Sequence, residues 1–410
     1  MKILLRTTYW VLFLICLPFF LHAKTPKPKI LIYGSTLEAY VAALQSAASG
    51  VPTLWVNPEN YSFTDERAFL GQEAQHMHLD GGVIHQFINH KIKPADSLDL
   101  FVQNGKEQSY NVLSDQNPLL FSVNEDVVKI EQGKSWKVTL SNRKSYTMWT
   151  VLDASKTGAL LNKTNIGELP ALKYKNAKEL RLTETRSIVL LGESDSTIFT
   201  FSLQDLLTQK DNFFALTPEF KVKNKSSQMA YGQTMGAIAG YCAFFKTTPD
   251  KIDLRTLQNE LLMFRSRLLP TVDVSIEDKN FMHLQRMYLA GILPLKLDAE
   301  KPYFGFKDSV RVADIHSIVN QYYSRAQLWF VDNNPEFLTV NDALELIKFT
   351  AFRGNELDEE VKRMWNTALT FKGEFNPLKV ISRYEFAVLF DKYASPFVKK
   401  VSQDGQTIYR

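Results

Sequence analysis

The pattern of apolar and polar positions predicts that the chain begins, after its first 28 residues, with two buried strands and a helix between them. An apolar stretch that starts at Lys29 reaches Gly34, an alanine-rich segment follows, and a second apolar stretch ends at Asn57. Two short apolar runs on either side of one helix are typical of a βαβ unit with parallel strands. The amino end of the helix then points at the turn after Gly34, where such a unit can hold nucleotide phosphates.

Beyond this unit the pattern predicts more strands and then mostly helices. Alternating apolar positions over Ser122–Ile130 and Trp136–Leu140, separated by Gln132-Gly133-Lys134, predict a hairpin. Apolar runs and helical periodicity predict the remaining elements: strands at Trp149–Leu152 and Arg186–Leu191, and helices at Tyr231–Phe245, Ile252–Leu268, Phe281–Ala290 and from Thr339. The predicted fold class is therefore α/β, with a Rossmann-like domain, a small β region and a mostly helical C-terminal repeat module.

The same pattern divides the chain into three parts. Lys2 and Arg6 precede an apolar run over Tyr9–Leu21, and Ala23 is a small residue before a cut, so residues 1–23 are predicted to be a signal peptide; an uncleaved N-terminal anchor is the alternative. Residues 24–272 form the predicted α/β domain. From about Asn280 short helices alternate with loops rich in aromatic residues and proline, and residues 273–410 are predicted to form a separate module.

The targeting segment, the cysteine count and the net charge limit the cellular location and the kinds of partner. The signal peptide predicts an exported protein, periplasmic or associated with the cell envelope of a bacterium. Cys242 is the single cysteine left after cleavage, so no intramolecular disulfide is predicted. No later apolar run is long enough to span a bilayer. The formal net charge is +4 and the basic residues are scattered, which argues against a nucleic-acid partner.

The turn after the first strand is the main candidate site. Where a dinucleotide-binding turn has three glycines, this chain has Gly34, Ser35, Thr36 and, at the last position, Ala39. The turn is interpreted either as a phosphate cradle or as a tight turn that binds nothing. Glu38 would repel phosphates if its carboxylate pointed at them.

Four segments in the expected order resemble the FAD-dependent oxidoreductase family of exported bacterial proteins, sometimes called xanthan-lyase-like. They are KILIYGSTLEAYVAAL, VLDASKTGALL, FSLQDLLTQKDNFFAL and YGQTMGAIAGYCAFFKTTPDKIDLRTLQNELL, and the resemblance covers about residues 29–270. It implies FAD as the cofactor, with contacts from eleven residues: Gly34, Ser35, Thr36, Ala39, Asn57, Asp153, Ala154, Gly158, Gly232, Gln233 and Gly236. Asn57 stands where the family has a ribose-binding Glu, and Gly232, Gln233 and Gly236 would lie at a helix amino terminus that faces the flavin.

The resemblance is incomplete in one large feature. The substrate domain of the family usually separates the second and third segments, whereas only about Asn162–Thr185 stands there in this chain. No catalytic residue is assigned. The chain is therefore interpreted as a divergent member that lacks most of the substrate domain.

The C-terminal part resembles S-layer homology repeats. GEFNPLKVISRYEFAVLF carries the pattern best, and YFGFKDSVRVADIHSIV is a weaker copy. The resemblance implies that Arg383 and Glu385 help to build a groove for cell-wall glycan, with structural packing as the alternative role. A cell-wall glycan or an envelope protein is thus the expected partner of residues 273–410.

Two further candidates are interpreted as ordinary side chains. His76, His78, Asp80 and His85 could converge on zinc, but they lack a fourth ligand at a fixed spacing, and no metal is predicted. Cys242 lies in an apolar helix and is interpreted as a buried, inert thiol. The predicted function is therefore that of an exported FAD-dependent oxidoreductase-like flavoprotein of unknown substrate. The main alternative is a non-catalytic envelope protein, binding glycan or a partner, on a degenerate flavin fold; a third is a peripheral subunit that completes the active site of another chain.

Overall fold

The computed structural model describes residues 26–62, 79–86, 117–167, 172, 174–194, 197–207, 211–216, 224–271, 273–298 and 301–408. Its central feature is a parallel sheet of five strands: β1 (Ile30–Tyr33), β2 (Thr53–Val56), β3 (Leu120–Val123), β7 (Thr150–Asp153) and β11 (Phe213–Ala215). The strands lie in the order β3-β2-β1-β7-β11. The predicted α/β class is confirmed.

The first βαβ unit forms as the sequence predicts. Helix α1 (Leu37–Ala48) connects β1 to β2, and Ile30 pairs with Thr53 in parallel register. Strands β1, β2 and β7 are buried along their whole length, which explains their uninterrupted apolar runs. After β3 the chain returns to the other side of β1, so the strand order reverses between β1 and β7. Open α/β sheets bind their ligands at this point, outside the carboxyl ends of the two strands.

A small antiparallel sheet stands between β3 and β7. It consists of β4 (Val127–Gln132), β5 (Trp136–Leu140) and β6 (Ser145–Met148), and β4 pairs with β5 as the predicted hairpin. The single strand predicted over Ser122–Ile130 is wrong. Its first part belongs to β3 in the parallel sheet and its second part to β4, because the chain leaves one sheet and enters another between Val123 and Val127.

The strand predicted at Arg186–Leu191 begins and ends later in the structure than predicted. Helix α2 (Leu182–Ser187) contains Arg186, and strand β9 (Ile188–Ser194) follows it. Strand β9 pairs with β10 (Thr197–Ser202), which pairs with β8 (Lys175–Asn176), and a short helix α3 (Leu203–Leu206) comes next. Of this sheet, only β8 lies within Asn162–Thr185, the short segment between the second and third resembling segments.

Two long helices lie side by side. Helix α4 (Lys225–Phe244) begins six residues before the predicted start and packs against α1. Its glycines Gly232, Gly236 and Gly240 recur every four residues, so they share one face of the helix. A Cβ atom at Gly236 would come within 2.5 Å of the Ala42 carbonyl oxygen, so the backbones of α1 and α4 touch.

The helix predicted at Ile252–Leu268 is shorter than predicted. Helix α5 runs over Leu254–Met263, and Arg265 adopts a left-handed backbone with φ of 61° that turns the chain away. Helix α6 (Phe281–Leu289) and a two-stranded ribbon, β12 (Lys296–Asp298) with β13 (Lys301–Tyr303), come next.

Five further helices complete the C-terminal half: α7 (Val312–Tyr322), α8 (Ala326–Asp332), α9 (Val340–Ala351), α10 (Glu356–Met364) and α11 (Arg383–Ala394). The helix predicted from Thr339 is confirmed, with Thr339 as its N-cap residue.

Three short turns close a ring in this half. They precede α7, α9 and α11, and their central residues Val310, Leu338 and Ile381 are buried. The amide of Leu338 donates to the carbonyl of Val310, Ile381 to Leu338, and Val310 to Ile381, over 3.0, 2.9 and 3.3 Å. Each turn therefore donates to one neighbour and accepts from the other. Sequence comparison of the segments around Phe304 and Phe375 identified two copies and missed the middle one.

The two halves share one hydrophobic core and several buried polar contacts. Arg186 Nε donates to the Ala290 carbonyl at 3.2 Å, and Arg255 Nη2 donates to the Leu289 carbonyl at 3.3 Å. Both arginines lie before residue 273 and both carbonyls after it. Among the residues described, no helix is both long and apolar enough to cross a membrane.

Candidate functional site

The candidate site lies where the strand order reverses, at the carboxyl ends of β1 and β7. Thr36 is the N-cap residue of α1: its Oγ1 accepts from the Ala39 amide at 3.1 Å and donates to the Ala154 carbonyl at 2.9 Å. The structure thus brings together Gly34, Thr36 and Ala39 from one predicted segment and Ala154 from another.

The close approach of the turn after β1 to the turn after β7 requires a glycine at position 34. Its φ is +139°, and a Cβ atom there would lie 2.7 Å from the carbonyl carbon of Ala154. Only glycine tolerates that backbone with a neighbour so close. The first glycine of the motif is therefore explained by the approach of the two turns, without a ligand.

The turn is covered by the segment that follows β2. Asn57 is only 3% exposed, its Nδ2 donates to the Tyr61 carbonyl at 3.0 Å, and its Oδ1 accepts from the Tyr61 amide at 2.8 Å. Ser35 Oγ accepts from the Glu59 amide at 2.8 Å. Ser35 and Asn57, two of the polar side chains predicted to contact the cofactor, thus hold residues 57–61 in place.

Trp55 supports the same cover and was not singled out from the sequence. Its indole Nε1 donates to the Gly34 carbonyl at 2.9 Å, and its ring centroid lies 5.4 Å from that of Tyr40. Trp55 is 6% exposed. A tryptophan in the second strand, whose N–H needs a partner when buried, is the signal that could have identified it.

Glu38 lies in the first turn of α1. Burial raises the pKa of its carboxyl group, although the hydrogen bond from Thr36 and the charge of Lys156 lower it. A carboxylate near the amino end of the helix competes with a phosphate for the same positive end of the helix dipole.

Asp153 organises the turn after β7. Its carboxylate accepts from the Ser155 amide and hydroxyl at 3.0 and 2.6 Å, and from the amides of Leu160 and Leu161 at 2.7 and 2.8 Å. Burial raises its pKa against the opposing effect of these bonds. Gly158 lies within the turn with φ of +63°. The arrangement accounts for Asp153 and Gly158 as parts of a strand-ending turn.

The predicted helix amino terminus lies elsewhere. Because α4 begins at Lys225, Gly232, Gln233 and Gly236 are interior positions, and the prediction that they form the amino end of a helix is wrong. The two glycines pack against α1. Gln233 is 3% exposed; its Nε2 donates to Gln45 Oε1 at 2.9 Å and its Oε1 accepts from the Val83 amide at 3.1 Å.

A small cavity, with room for little more than a water molecule, lies between β9, α4 and residues 79–84. Its polar side chains include Gln233, Thr234 and Arg267. Thr234 Oγ1 donates to the Val189 carbonyl at 3.1 Å, and Arg267 Nε pairs with the Asp80 carboxylate at 2.7 Å. The cavity is thus lined by polar groups that already bond to the protein.

The remaining candidates fall into two groups. His76 and His78 lie outside the described residues, and within the described ranges no group of three or more His, Cys, Asp or Glu side chains could hold a metal ion. Cys242 is buried, and burial raises the pKa of its thiol to about 12, so it is a poor nucleophile.

These contacts decide how well the site fits FAD. The pyrophosphate position keeps a helix amino end and a turn of small residues. The ribose position does not fit, because Asn57 is buried and bonded through both ends of its amide to Tyr61. No reaction step is therefore assigned to a flavin in this chain.

In the C-terminal half, the predicted groove residues are internal. Arg383 is 2% exposed and its Nε donates to the Phe304 carbonyl at 2.8 Å. Glu385 accepts from the Ser382 hydroxyl at 2.8 Å and pairs with Lys379 Nζ at 2.8 Å. Of the two roles left open for Arg383 and Glu385, these contacts favour structural packing.

Comparison with known proteins gives the following picture. No family model matches the chain, and no curated protein matches its sequence. It is similar in structure to an oxidoreductase from Agrobacterium tumefaciens, with 10% identity, a TM-score of 0.27, and 54% of this chain and 99% of that chain covered. It is also similar to PqsL of Pseudomonas aeruginosa, a probable FAD-dependent monooxygenase, with 9% identity, a TM-score of 0.27, and coverage of 64% and 97%. The halogenase PltM shows 11% identity, a TM-score of 0.29, and coverage of 65% and 80%. The strand order and the βαβ unit of the chain itself establish its Rossmann-like topology.

Proposed function

We propose that this protein is a non-catalytic cell-envelope protein in which a flavin-type α/β half serves as a structural platform. The observation that carries the proposal is that the candidate cofactor turn after β1 bonds to a later segment of the same chain. The amide of Asn57 bonds through both ends to Tyr61, and the hydroxyl of Ser35 accepts from the Glu59 amide, so both side chains are engaged by residues 57–61 of the same chain. A dinucleotide site needs these groups to be accessible, and here they stabilise the fold instead.

The contact with the envelope is proposed to come from the C-terminal half. Support for this part is the threefold arrangement of repeat turns, together with the resemblance of two of them to S-layer homology repeats. Because Arg383 and Glu385 are buried, the contact surface would consist of other side chains. Phe337, Leu378 and Val380 flank the ring and are 37%, 80% and 43% exposed, so they are the candidates to touch a glycan or a partner protein.

Flavin binding is the direct test. The purified protein is mixed with excess FAD, desalted and examined for flavin absorption. We expect a colourless protein, and we expect the Glu38→Ala variant to stay colourless too, because the ribose position is closed in both. Stoichiometric flavin in the wild-type protein after desalting would overturn the platform proposal.

A FAD-dependent oxidoreductase of unknown substrate is the second candidate. The observation that favours it is the intact switch point of the sheet, with the amino end of α1 aimed at the turn after β1. In this case FAD would bind after residues 57–61 move away. The Asn57→Ala variant would then bind FAD more tightly than the wild-type protein, whereas the platform proposal expects neither to bind.

A further inference from the structure

Two exposed phenylalanines and one buried tyrosine form an aromatic cluster at the carboxyl end of α4. Phe244 and Phe245 are 60% and 53% exposed, and their ring centroids are 5.0 Å apart. Tyr241 lies beneath them, with its ring 4.6 Å from that of Phe245. We call these three residues the aromatic edge. The two adjacent rings make a contiguous apolar patch, which is the kind of surface that contacts a partner or a membrane.

The aromatic edge lies where the chain enters the fold. Trp149 Nε1 donates to the carbonyl of Thr247, which is two residues from Phe245, at 3.1 Å. The amide of the same Trp149 donates to the carbonyl of Lys29 at 2.7 Å. The residues just before β1 and the aromatic edge are therefore on the same side of the molecule, at the amino ends of the parallel strands.

Exposed lysines occur in the two chain segments that meet on this side of the molecule, the one before β1 and the one after the aromatic edge. Lys27, Lys29, Lys246 and Lys251 are all exposed, and Asp250 is an exposed acidic residue in the same stretch. Lys246 directly follows the two phenylalanines. Aromatic rings beside lysines match the interface of an anionic bilayer, where rings enter the headgroup region and ammonium groups meet lipid phosphates.

The chain upstream determines what this surface would meet. The apolar run Tyr9–Leu21 ends eight residues before Lys29. Eight extended residues span at most about 28 Å, so while the apolar run is held in a membrane the start of β1 stays near that membrane. Before cleavage, or as an uncleaved anchor, the N-terminal segment therefore brings this side of the molecule, and the aromatic edge with it, close to lipid.

We propose that the aromatic edge docks the protein onto an anionic lipid surface. Phe244 and Phe245 enter the interface and Lys246 contacts lipid phosphates. The docking is weak by itself, and it is strengthened while the N-terminal apolar run tethers the chain to the same membrane.

Vesicle sedimentation tests the proposal. Protein beginning at Lys24, which includes every described residue, is mixed with vesicles of phosphatidylglycerol and phosphatidylethanolamine or of phosphatidylcholine alone. We expect binding to the anionic vesicles that falls as salt is raised. The double variant Phe244→Ser/Phe245→Ser should bind at least about tenfold more weakly, because it removes most of the apolar surface that enters the lipid.

Two controls make the outcome specific. Phe352→Ser removes a phenylalanine that is 76% exposed in the C-terminal half and should leave vesicle binding unchanged. Lys246→Glu reverses the charge beside the edge without touching the rings, so it should weaken binding even if the double variant is poorly folded. The proposal is overturned if the wild-type protein does not sediment with anionic vesicles, or if both edge variants bind like the wild type. Sedimentation with purified cell wall but not with vesicles would assign the contact to the envelope partner instead.

Discussion

At the scale of single residues, the candidate site is an example of polar groups that turn inward. Asn57 and Ser35 have the chemistry that a nucleotide site needs, and both bond to the backbone of residues 57–61 instead. A buried polar group needs hydrogen-bond partners, and the backbone of Tyr61 provides them for the Asn57 amide. The identity of these residues was readable from the sequence, but their partners were not.

Glu260 on α5 provides a test at the same scale. Burial raises the pKa of its carboxyl group to about 6, against a hydrogen bond from Ser49 that lowers it. The folded state therefore holds the proton more tightly than the unfolded state, and its stability falls as pH rises from the unfolded pKa of 4.5 through about 6. Glu260→Gln should raise the free energy of unfolding by up to about 2 kcal/mol near pH 8 and change little near pH 4.

Urea denaturation at the two pH values measures this effect. Glu359→Gln, at an exposed position, is the matched control and should change stability little at either pH. An equal effect of Glu260→Gln at both pH values would contradict the role of its proton.

At the scale of elements, the contact between α1 and α4 depends on glycines, because a side chain at these positions would keep the two backbones apart. Gly232 and Gly236 let the two backbones touch, and Ser46 Oγ donates to the Gly236 carbonyl at 2.9 Å across the contact. The small-residue pattern of α4 thus describes a helix–helix contact. This explains these glycines without a flavin.

Substitution of these glycines by alanine separates packing from helix propensity. Alanine favours a helix over glycine by about 1 kcal/mol. At Gly236, however, the new Cβ atom would lie 2.5 Å from the Ala42 carbonyl oxygen. Gly236→Ala should therefore lower the free energy of unfolding by about 1–3 kcal/mol, measured by urea denaturation. Gly240→Ala is the matched control, since its closest contact is the Ser49 Cβ at 3.3 Å, and it should cost clearly less. A Gly236→Ala protein as stable as the wild type would refute the close contact.

The same elements show what the sequence could and could not predict. The first βαβ unit, the hairpin and the helix after Thr339 were predictable, because each has a clear period and a turn or cap signal. The division of Ser122–Ile130 between two sheets was not, because alternation over nine residues does not reveal which neighbour each half pairs with. The start of α4 was missed because Lys225 to Ala230 lack an apolar pattern, and the helix begins at the N-cap Asn224. The cover over the turn was missed because Asn57 bonds to a backbone, which has no sequence signature.

At the scale of the whole molecule, the two halves are joined by buried arginines. Arg186 and Arg255 reach from the α/β half to the carbonyls of Ala290 and Leu289. Burial lowers the pKa of Arg255 to about 10, and its guanidinium lies 4.7 Å from the ring centroid of Phe397. The C-terminal half therefore supplies carbonyl acceptors and an aromatic ring to arginines that are buried in the α/β half.

A fragment that starts near Ser275 tests the predicted module. We expect it to unfold cooperatively, because the ring of turns and the helices that follow it lie wholly within the fragment. Its midpoint temperature should be at least roughly 10 °C below that of the same helices in the whole chain, because part of the shared hydrophobic core and the contacts from Arg186 and Arg255 are lost. Thermal unfolding followed by the fluorescence of Trp329 and Trp365 measures this. A non-cooperative fragment contradicts the separate module, and an unchanged midpoint contradicts the importance of the arginines.

The closed ring of turns also restricts how this protein can change over evolutionary time. Open repeat arrays lengthen or shorten by gene duplication or deletion, since a new unit stacks on a free end. Here the amides and carbonyls of Val310, Leu338 and Ile381 are all used within the ring. A fourth copy would find no unpaired backbone group to bond to. The loss of one copy would leave an amide of one remaining turn and a carbonyl of the other without a partner. The copy number is therefore fixed at three, and diversification must proceed through the side chains and loops around the ring.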